Sequence, residues 1–170
     1  KLDSAGNHVW SSYLGDTNAE NGYGVAATAS GVVFVTGDTY SGGWVSGGFN
    51  TAYSGGQDAF IVSLSSAGAH LWSTYLGGTN RESGRCVGTD TSTNVFVAGL
   101  TSSSNWVSGG YDTNYAGGFD SSGNPIPDAF VAKLNVAGQH LWSTYLGGTN
   151  TDWARAVAAD PAGNALVAGV

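Results

Sequence analysis

Three histidines are the residues of this chain best suited to bind a transition metal. His8, His70 and His140 each open the same short segment, which reads HVWSSYLG or HLWSTYLG. Imidazole ligands of one zinc ion must converge to about 2 Å from it. Repeat-equivalent side chains on successive outer strands diverge instead. We therefore expect three strand-surface histidines and no metal site formed by them.

Carboxylates also recur, and they raise the question of calcium, which binds several oxygen ligands at once. The segment FDSSGNPIPD at 119–128 combines acid and amide oxygens but lacks the alternating acids of an EF-hand loop. Capping of turns by Asp and Asn is therefore the favoured explanation. Asp120 and Asp128 remain as calcium candidates, and no other cofactor is predicted. The remaining recurrent acids are Glu20, Asp58, Glu82 and Asp152.

Aromatic residues fall into two recurring sets. The first set occupies fixed positions of the strand-like segments, which favours packing between neighbouring repeats: Trp10, Tyr13, Trp72, Tyr75, Trp142 and Tyr145. The second set lies in Gly-rich loops, where function is often found: Trp44, Phe49, Tyr53, Trp106, Tyr111 and Tyr115. Loop aromatics could stack on a glycan, contact a neighbouring subunit or fold over the edge of their own repeat, and the sequence leaves these three roles open.

No catalytic motif is present. The chain lacks GxSxG, HExxH and a phosphate-binding GxxxxGK segment. Trp153 and Arg155 break the repeat pattern, but one irregular pair is not an active site. Cys86 is the single cysteine, which excludes an intrachain disulfide and predicts a small, buried strand residue. The sequence therefore predicts that the protein is not an enzyme.

The composition limits the partners. Five Lys+Arg against twelve Asp+Glu give a net charge of −7, which argues against binding nucleic acid or an anionic membrane surface. No apolar run approaches the roughly 20 residues of a membrane span. Only 10 % of the residues are charged, against about 25 % in an average soluble protein. A weakly charged surface rich in Ser, Thr, Gly and Asn is typical of secreted or cell-surface β proteins.

The elements that carry these residues are three copies of one repeat, with offsets of 62 and 70 residues. The extra eight residues are Phe119–Ile126, an insertion in a loop. The matching segments are HVWSSYLG (His8–Gly15) with His70–Gly77 and His140–Gly147, FNTAYSGG (Phe49–Gly56) with Tyr111–Gly118, and QDAFIVSL (Gln57–Leu64) with Pro127–Leu134.

Each repeat predicts four short strands joined by turns such as DPAGN at 160–164, with no helix of useful length. Four strands per repeat and one long Gly-rich loop indicate an all-β fold, a β-propeller-type array of four-stranded antiparallel blades. A blade cannot bury both faces alone and must stack on its neighbours. A β-solenoid is the alternative architecture, although its rungs are usually much shorter.

The turns resemble the tryptophan-docking motif of quinoprotein-type propellers, in which an acid or amide, a turn Gly and a Trp follow at fixed spacing. Asn135, Gly138 and Trp142 fit this spacing, although Ala rather than Thr precedes the Gly. The resemblance implies that the turn joins the third and fourth strands and that the Trp packs between blades. HLWSTYLG is then an outer strand, and the next run is the innermost strand of the following blade. Small residues of those innermost runs agree: Ala26, Ala27, Gly88, Ala156 and Ala158.

This assignment divides the single repeat array into a half-blade at 1–15, blades at 22–77 and 84–147, and a half-blade at 154–170. Both ends look cut from a longer chain or matured, and the two half-blades are complementary. Closed propellers have about four to eight blades. We therefore expect self-association with identical chains, or pairing with further repeats, in a ring or a filament.

The whole repeat resembles the SBBP family of bacterial propeller-like repeats. The matching segments are DAFVAKLNVAGQHLWSTYLGGTN (Asp128–Asn150), AVAADPAGNALVAG (Ala156–Gly169) and WVSGGFNT (Trp44–Thr51). The resemblance implies a secreted or surface bacterial β-propeller without a shared catalytic activity. We therefore expect a non-catalytic extracellular scaffold. The alternatives are a carbohydrate-binding propeller that uses the loop aromatics, and a fragment of a larger propeller enzyme.

Overall fold

The computed structural model describes all 170 residues, and its secondary structure is entirely β. None of its segments forms a helix with the length and apolarity that a membrane crossing requires. The ten strands are β1 (Glu20–Ala27), β2 (Val33–Thr39), β3 (Asp58–Leu64), β4 (His70–Leu76), β5 (Glu82–Thr89), β6 (Val95–Thr101), β7 (Asp128–Leu134), β8 (His140–Leu146), β9 (Ala154–Ala159) and β10 (Ala165–Gly169).

The strands form two four-stranded sheets and one two-stranded sheet. Strands β1 to β4 pair in chain order as the first blade, and β5 to β8 pair in chain order as the second blade. Strands β9 and β10 pair as a C-terminal hairpin. All of these strand pairs are antiparallel. The predicted all-β fold with four-stranded antiparallel blades is therefore confirmed.

The third strand of each blade is buried on both faces. Every residue of β3, DAFIVSL, is buried, and β7 is buried except for a half-buried Lys133. Alternate residues of a strand point to opposite faces of the sheet. A strand covered on both faces needs apolar side chains at nearly every position, which explains why these runs do not alternate strictly.

The first blade packs directly on the second. Ten buried side chains form the largest apolar cluster, from both blades: Phe34, Ala59, Ile61, Trp72 and Leu76 of the first, and Val95, Val97, Phe130, Ala132 and Leu134 of the second. This cluster is called the interblade core below. A second, smaller cluster joins the second blade to Ala154 and Val157 of β9.

The innermost strands β1, β5 and β9 approach each other closely. A methyl group on Gly88 of β5 would lie 3.0 Å from the carbonyl oxygen of Val157 in β9. A methyl group on Gly24 of β1 would lie 3.2 Å from the Cα of Cys86. Small residues are therefore required here, in agreement with the position that the sequence predicts for these strands.

The two ends of the array differ from each other. Residues 1–15, which the sequence predicts to be a half-blade, contain one β-bridge between Leu2 and His8 and no strand. The segment from His8 onward corresponds to the fourth strand of a blade. Its pairing partner would be a third strand, of which Lys1 and Leu2 are the last two positions, so almost no ladder forms. The C-terminal hairpin, by contrast, is a paired first and second strand.

Candidate interaction interface

Trp72 joins the first blade to the second. Its indole N–H donates a hydrogen bond of 2.8 Å to the carbonyl oxygen of Val136, in the turn between β7 and β8. The ring covers Gly138 of that turn so closely that a methyl group there would lie 2.6 Å from the ring atom Cδ2. Gly138 has φ of +77°, a left-handed conformation that favours glycine. The turn and the Trp therefore form one docking unit between blades.

Trp10 repeats this arrangement at the N-terminal end. Its indole N–H donates to the carbonyl oxygen of Ser66 at 3.1 Å, and its ring covers Gly68. Trp142 holds the same position in the second blade, where no following turn is present. It remains half-buried, with its ring centroid 6.2 Å from that of Phe96, and its indole N–H has no acceptor within the chain.

The tyrosines of the same strands do not pack between blades, and the prediction for them was wrong. Tyr75 and Tyr145 are buried beneath loops of their own blades. Their hydroxyl groups donate to the carbonyl oxygens of Ser41 and Ser103, each at 2.9 Å. Tyr13 is fully exposed because its own blade has no such loop in the chain. Trp and Tyr lie three positions apart and so face opposite sides of the sheet.

Four of the six loop aromatics fold onto their own blade. Trp44 lies edge-on to Phe60 with ring centroids 5.1 Å apart, and Trp106 repeats this against Phe130 at 5.0 Å. Each indole N–H donates to a threonine hydroxyl at the end of the second strand. Tyr53 and Tyr115 lie edge-on to Tyr75 and Tyr145, and their hydroxyl groups donate to the carbonyl oxygens of Gly56 and Ile126.

Phe49 and Tyr111 are the two loop aromatics that remain exposed. Phe49 reaches the next blade, where its ring centroid lies 5.2 Å from that of His140. Tyr111, the equivalent residue of the second blade, has no such neighbour and is 92 % exposed. The geometry thus makes this position a contact between blades and leaves no continuous row of aromatic faces for stacking on sugar rings.

The three histidines do not converge. Each ring Nε2 lies within 3.2 Å of the hydroxyl of the serine three residues later in the same segment, Ser11, Ser73 or Ser143. Burial behind Phe49 lowers the pKa of His140. No group of three or more His, Cys, Asp and Glu side chains is arranged to hold a metal ion.

The two calcium candidates lie apart in different environments. Asp120 is exposed and caps its turn, accepting hydrogen bonds from the backbone N–H groups of Ser122 and Asn124. The first residues of the other turns make the same bonds: Asp3, Ser65, Asp90, Asn135 and Asp160. Turn capping thus accounts for Asp120. Asp128 is buried, and its Oδ2 accepts a hydrogen bond from the N–H of Ala116.

Asp128 and its counterpart Asp58 are unusual in that one carboxylate oxygen of each is buried without a partner. Burial is the main cause that raises the pKa of Asp58 to about 7, opposed by the Ser54 N–H and assisted by the nearby Glu82 carboxylate. Burial likewise raises the pKa of Asp128 and of Glu82. Burial therefore shifts the pKa of all three acids in the same direction, upward.

Apolar surface is left open at both ends of the array. A groove of about 500 Å³ borders the first blade on the side away from the second. It is called the N-terminal groove and is lined mainly by Trp10, Leu14, Val25, Val33, Val35 and Leu64. On the C-terminal side, Leu166 of β10 is 58 % exposed, and Trp142 is half-buried.

A polar cavity on the innermost strands is the feature that the sequence indicated least. Trp153 and Arg155, which stand out in the sequence as breaks in the repeat pattern, line this cavity together with Tyr23 and Arg85. In the aligned repeats, Tyr23, Arg85 and Arg155 occupy one equivalent position, and this was the sequence feature that could have indicated the cavity. Whether these three side chains meet in one cavity depends on strand register, which the alignment of repeats does not show.

Comparison with known proteins agrees with this architecture. A family model described as the SBBP β-propeller repeat matches residues 71–105 and 141–170. A curated protein named "Uncharacterized WD repeat-containing protein L264", from Acanthamoeba polyphaga mimivirus, is 27 % identical over 115 residues. The match covers 62 % of this chain and only 8 % of that protein. Both matched segments include strands of the four-stranded blades, and the chain is thus similar in sequence to β-propeller repeats of the SBBP type.

Proposed function

We propose that this chain is a non-catalytic interaction scaffold that associates head to tail with identical chains by completing a blade between them. The observation that carries the proposal is the interblade core. It shows how one blade face covers the next, and the chain presents one uncovered face of each kind at its ends. The repeat family and the match to a WD-repeat protein support a role in interaction.

The N-terminal groove is the uncovered receiving face. Its Val33, Val35 and Leu64 correspond to Val95, Val97 and Leu134 of the second blade, which the first blade buries. Val25 of β1 is 70 % exposed, whereas its counterpart Val87 packs against the interblade core. Trp10 already occupies the outer part of the groove. The inner part therefore matches the first and second strands of a preceding blade.

The C-terminal hairpin supplies those two strands. Leu166 of β10 corresponds to Phe34 of β2, whose ring lies 5.9 Å from Trp72 in the interblade core. Placed in the groove of a second copy, Leu166 would take the place of Phe34 beside Trp10. Strand β9 would then lie along β1, as β5 does along β9 within one chain.

The third strand of the completed blade is the element that this segment represents least. In the first blade, β2 pairs with β3 over seven positions, from the pair of Val33 with Leu64 to the pair of Thr39 with Asp58. Lys1 and Leu2 are the part of that third strand present in this 170-residue segment. For this segment we therefore expect reversible association that is weaker than stacking of complete blades. Head-to-tail association of this kind gives a ring if the rotation closes and a filament if it does not.

An extracellular or cell-surface location, with a bacterial source, is part of the proposal. Its support is the low fraction of charged residues, 10 %, and a surface rich in Ser, Thr, Gly and Asn. Glycan binding is less well supported, because four of the six loop aromatics fold onto their own blade.

Light scattering over a range of protein concentrations tests the association. We expect the weight-average mass to rise with concentration, and Leu166→Asp to keep the chain monomeric by placing a charge in the apolar groove. Leu71→Asp is the matched control, since Leu71 is 49 % exposed on the outer strand β4 and belongs neither to the lining of the N-terminal groove nor to the C-terminal hairpin. A monomer at every concentration, or equal loss of association in both variants, would contradict the proposal.

A further inference from the structure

A cavity of about 310 Å³ lies where the innermost strands β1, β5 and β9 meet. Its lining consists of Tyr23, Arg85, Trp153, Ala154 and Arg155. The chain has only five Lys and Arg residues and a net charge of −7. Two of those five cations nevertheless line this one cavity.

The strand register places these residues. Pairing of β1 with β2 shifts between Gly22 and Gly24, which leaves Tyr23 unpaired. The same shift leaves Arg85 unpaired in β5 and Arg155 unpaired in β9. A β-bulge re-aims the side chain of its extra residue, and bulges are frequent next to functional sites. The three residues occupy one repeat position and are therefore brought together by one recurring device.

The cavity has hydrogen-bond donors without acceptors. The Lys133–Asp90 pair is the single salt bridge of the chain, so neither Arg85 nor Arg155 is paired with a carboxylate. The indole N–H of Trp153 is buried and has no hydrogen-bond partner. A buried donor without an acceptor costs free energy. The two guanidinium groups are the donors that an acceptor in the cavity can reach.

The guanidinium groups are held by aromatic rings rather than by acids. The Cζ of Arg85 lies 4.3 Å from the ring centroid of Tyr23, and that of Arg155 lies 5.4 Å from the Trp153 ring. Such cation–π contacts position the cation and leave its N–H groups free to donate. Asp38 interacts with the Tyr23 hydroxyl, and its two oxygens also accept hydrogen bonds from Asn21 and Ser83.

We infer that this cavity is a binding site for an oxyanion, that is, a carboxylate, phosphate or sulfate group. The planar guanidinium fork matches such groups and binds them through charge-assisted hydrogen bonds. Arg85 and Arg155 would supply the donors, and the rings of Tyr23 and Trp153 would bound the site. The inference does not depend on head-to-tail association, because the cavity lies within one chain.

The test is a titration of the full chain, followed by the indole N–H signals of its six tryptophans in nitrogen–proton correlation spectra. Trp153→Phe identifies the Trp153 signal by removing it. Inorganic phosphate, sulfate and acetate are added separately at constant ionic strength, with chloride as the reference anion. We expect a saturable shift of the Trp153 signal with at least one oxyanion and none with chloride, and the order of the three affinities identifies the preferred group.

Arg85→Gln and Arg155→Gln should each weaken this binding by about tenfold or more, the loss expected for a charge-assisted hydrogen bond. Arg81→Gln is the matched control, because this substitution removes the same charge, whereas Arg81 donates a hydrogen bond to Gln57 and lines a different cavity. The site does not exist if no oxyanion shifts the Trp153 signal up to about 50 mM, far above a millimolar dissociation constant. Equal weakening by Arg81→Gln would show a general charge effect and would also overturn the inference.

Discussion

The indole N–H of Trp72 in β4 donates a 2.8 Å hydrogen bond to the carbonyl oxygen of Val136, a residue 64 positions away in the next blade. The bond joins two sheets whose backbones otherwise meet at a single β-bridge, between Gln57 and Arg81. Because Trp10 bonds to Ser66 in the same way, the contact is a property of the repeat. The loss of unfolding free energy when this bond is removed therefore measures how strongly neighbouring blades are coupled.

The close contact between Trp72 and Gly138 predicts that Gly138→Ala destabilises the chain. The new methyl group would meet the indole ring at 2.6 Å, and the residue must keep φ of +77°. Gly123→Ala is the matched control, since Gly123 has φ of +81° but nothing within 4 Å of the added methyl. Denaturant unfolding should show a loss of about 1 kcal/mol for Gly123→Ala from backbone strain. Gly138→Ala should cost roughly 1–3 kcal/mol more from overpacking. Equal losses would mean that the turn and the ring are not coupled.

The tryptophans should differ in their contribution to stability according to whether a following turn covers them. Trp72→Phe leaves the Val136 carbonyl without its donor and a void in the interblade core. The free energy of unfolding should fall by about 2–3 kcal/mol. Trp142→Phe removes a half-buried indole without an acceptor and should cost less than about 1 kcal/mol. Denaturant midpoints of the two variants check this, and a Trp142→Phe loss as large as that of Trp72→Phe would contradict the role of docking.

Asp58 predicts a pH dependence of stability. Its pKa is about 7 in the folded chain, against 3.8 as the ordinary value. The folded state therefore binds the proton more tightly than the unfolded state. This stabilisation is complete below about pH 4 and is lost as the pH rises through 7. Asp58→Asn should abolish this loss of stability above pH 7. At pH 8 its free energy of unfolding should exceed that of the original chain by roughly 1–3 kcal/mol.

Thermal unfolding between pH 4 and pH 8 measures the effect of Asp58→Asn. Asn keeps an oxygen that accepts the Ser54 N–H bond and adds a donor at the unpaired position. Asp120→Asn is the control, because hydrogen bonds from Asn124 lower the pKa of this exposed acid. A stability difference between Asp58→Asn and the original chain that stays constant across this pH range would count against the raised pKa.

Lys1 and Leu2 correspond to the last two positions of a third strand, which predicts that five residues added before Lys1 strengthen the self-association of this segment. Lys1 and Leu2 match Lys133 and Leu134, so an extension DAFVA before Lys1 would restore a full strand like β7. Its backbone could then bridge β10 of one copy and the His8–Leu14 segment of the next. We expect the dissociation constant measured by light scattering to fall about tenfold or more. An extension DAPVA is the control, because Pro cannot donate to the ladder. Equal effects of both extensions would exclude strand completion.

Much of the fold could be predicted because it is local and repeated. The resemblance carried by Asn135, Gly138 and Trp142 implied a turn between the third and fourth strands, and β7, the turn and β8 follow that order. Small residues such as Gly88 agreed with the innermost position that the resemblance implied for their strands, because that position is crowded. The half-blade at 1–15 was less predictable, because a strand exists only with its partner, and Lys1 and Leu2 provide almost none.

The sequence by itself determined the repeat, the number of strands in each blade, the turns and the opposite orientation of Trp72 and Tyr75. A side-chain period of two fixes those relative positions. Only the tertiary structure decided which face meets a neighbouring blade, so that Trp72 docks across the interface while Tyr75 lies beneath its own loop. The cavity of Arg85, Arg155 and Trp153 likewise required the fold, because bulges and stacking set the distances between residues of different repeats.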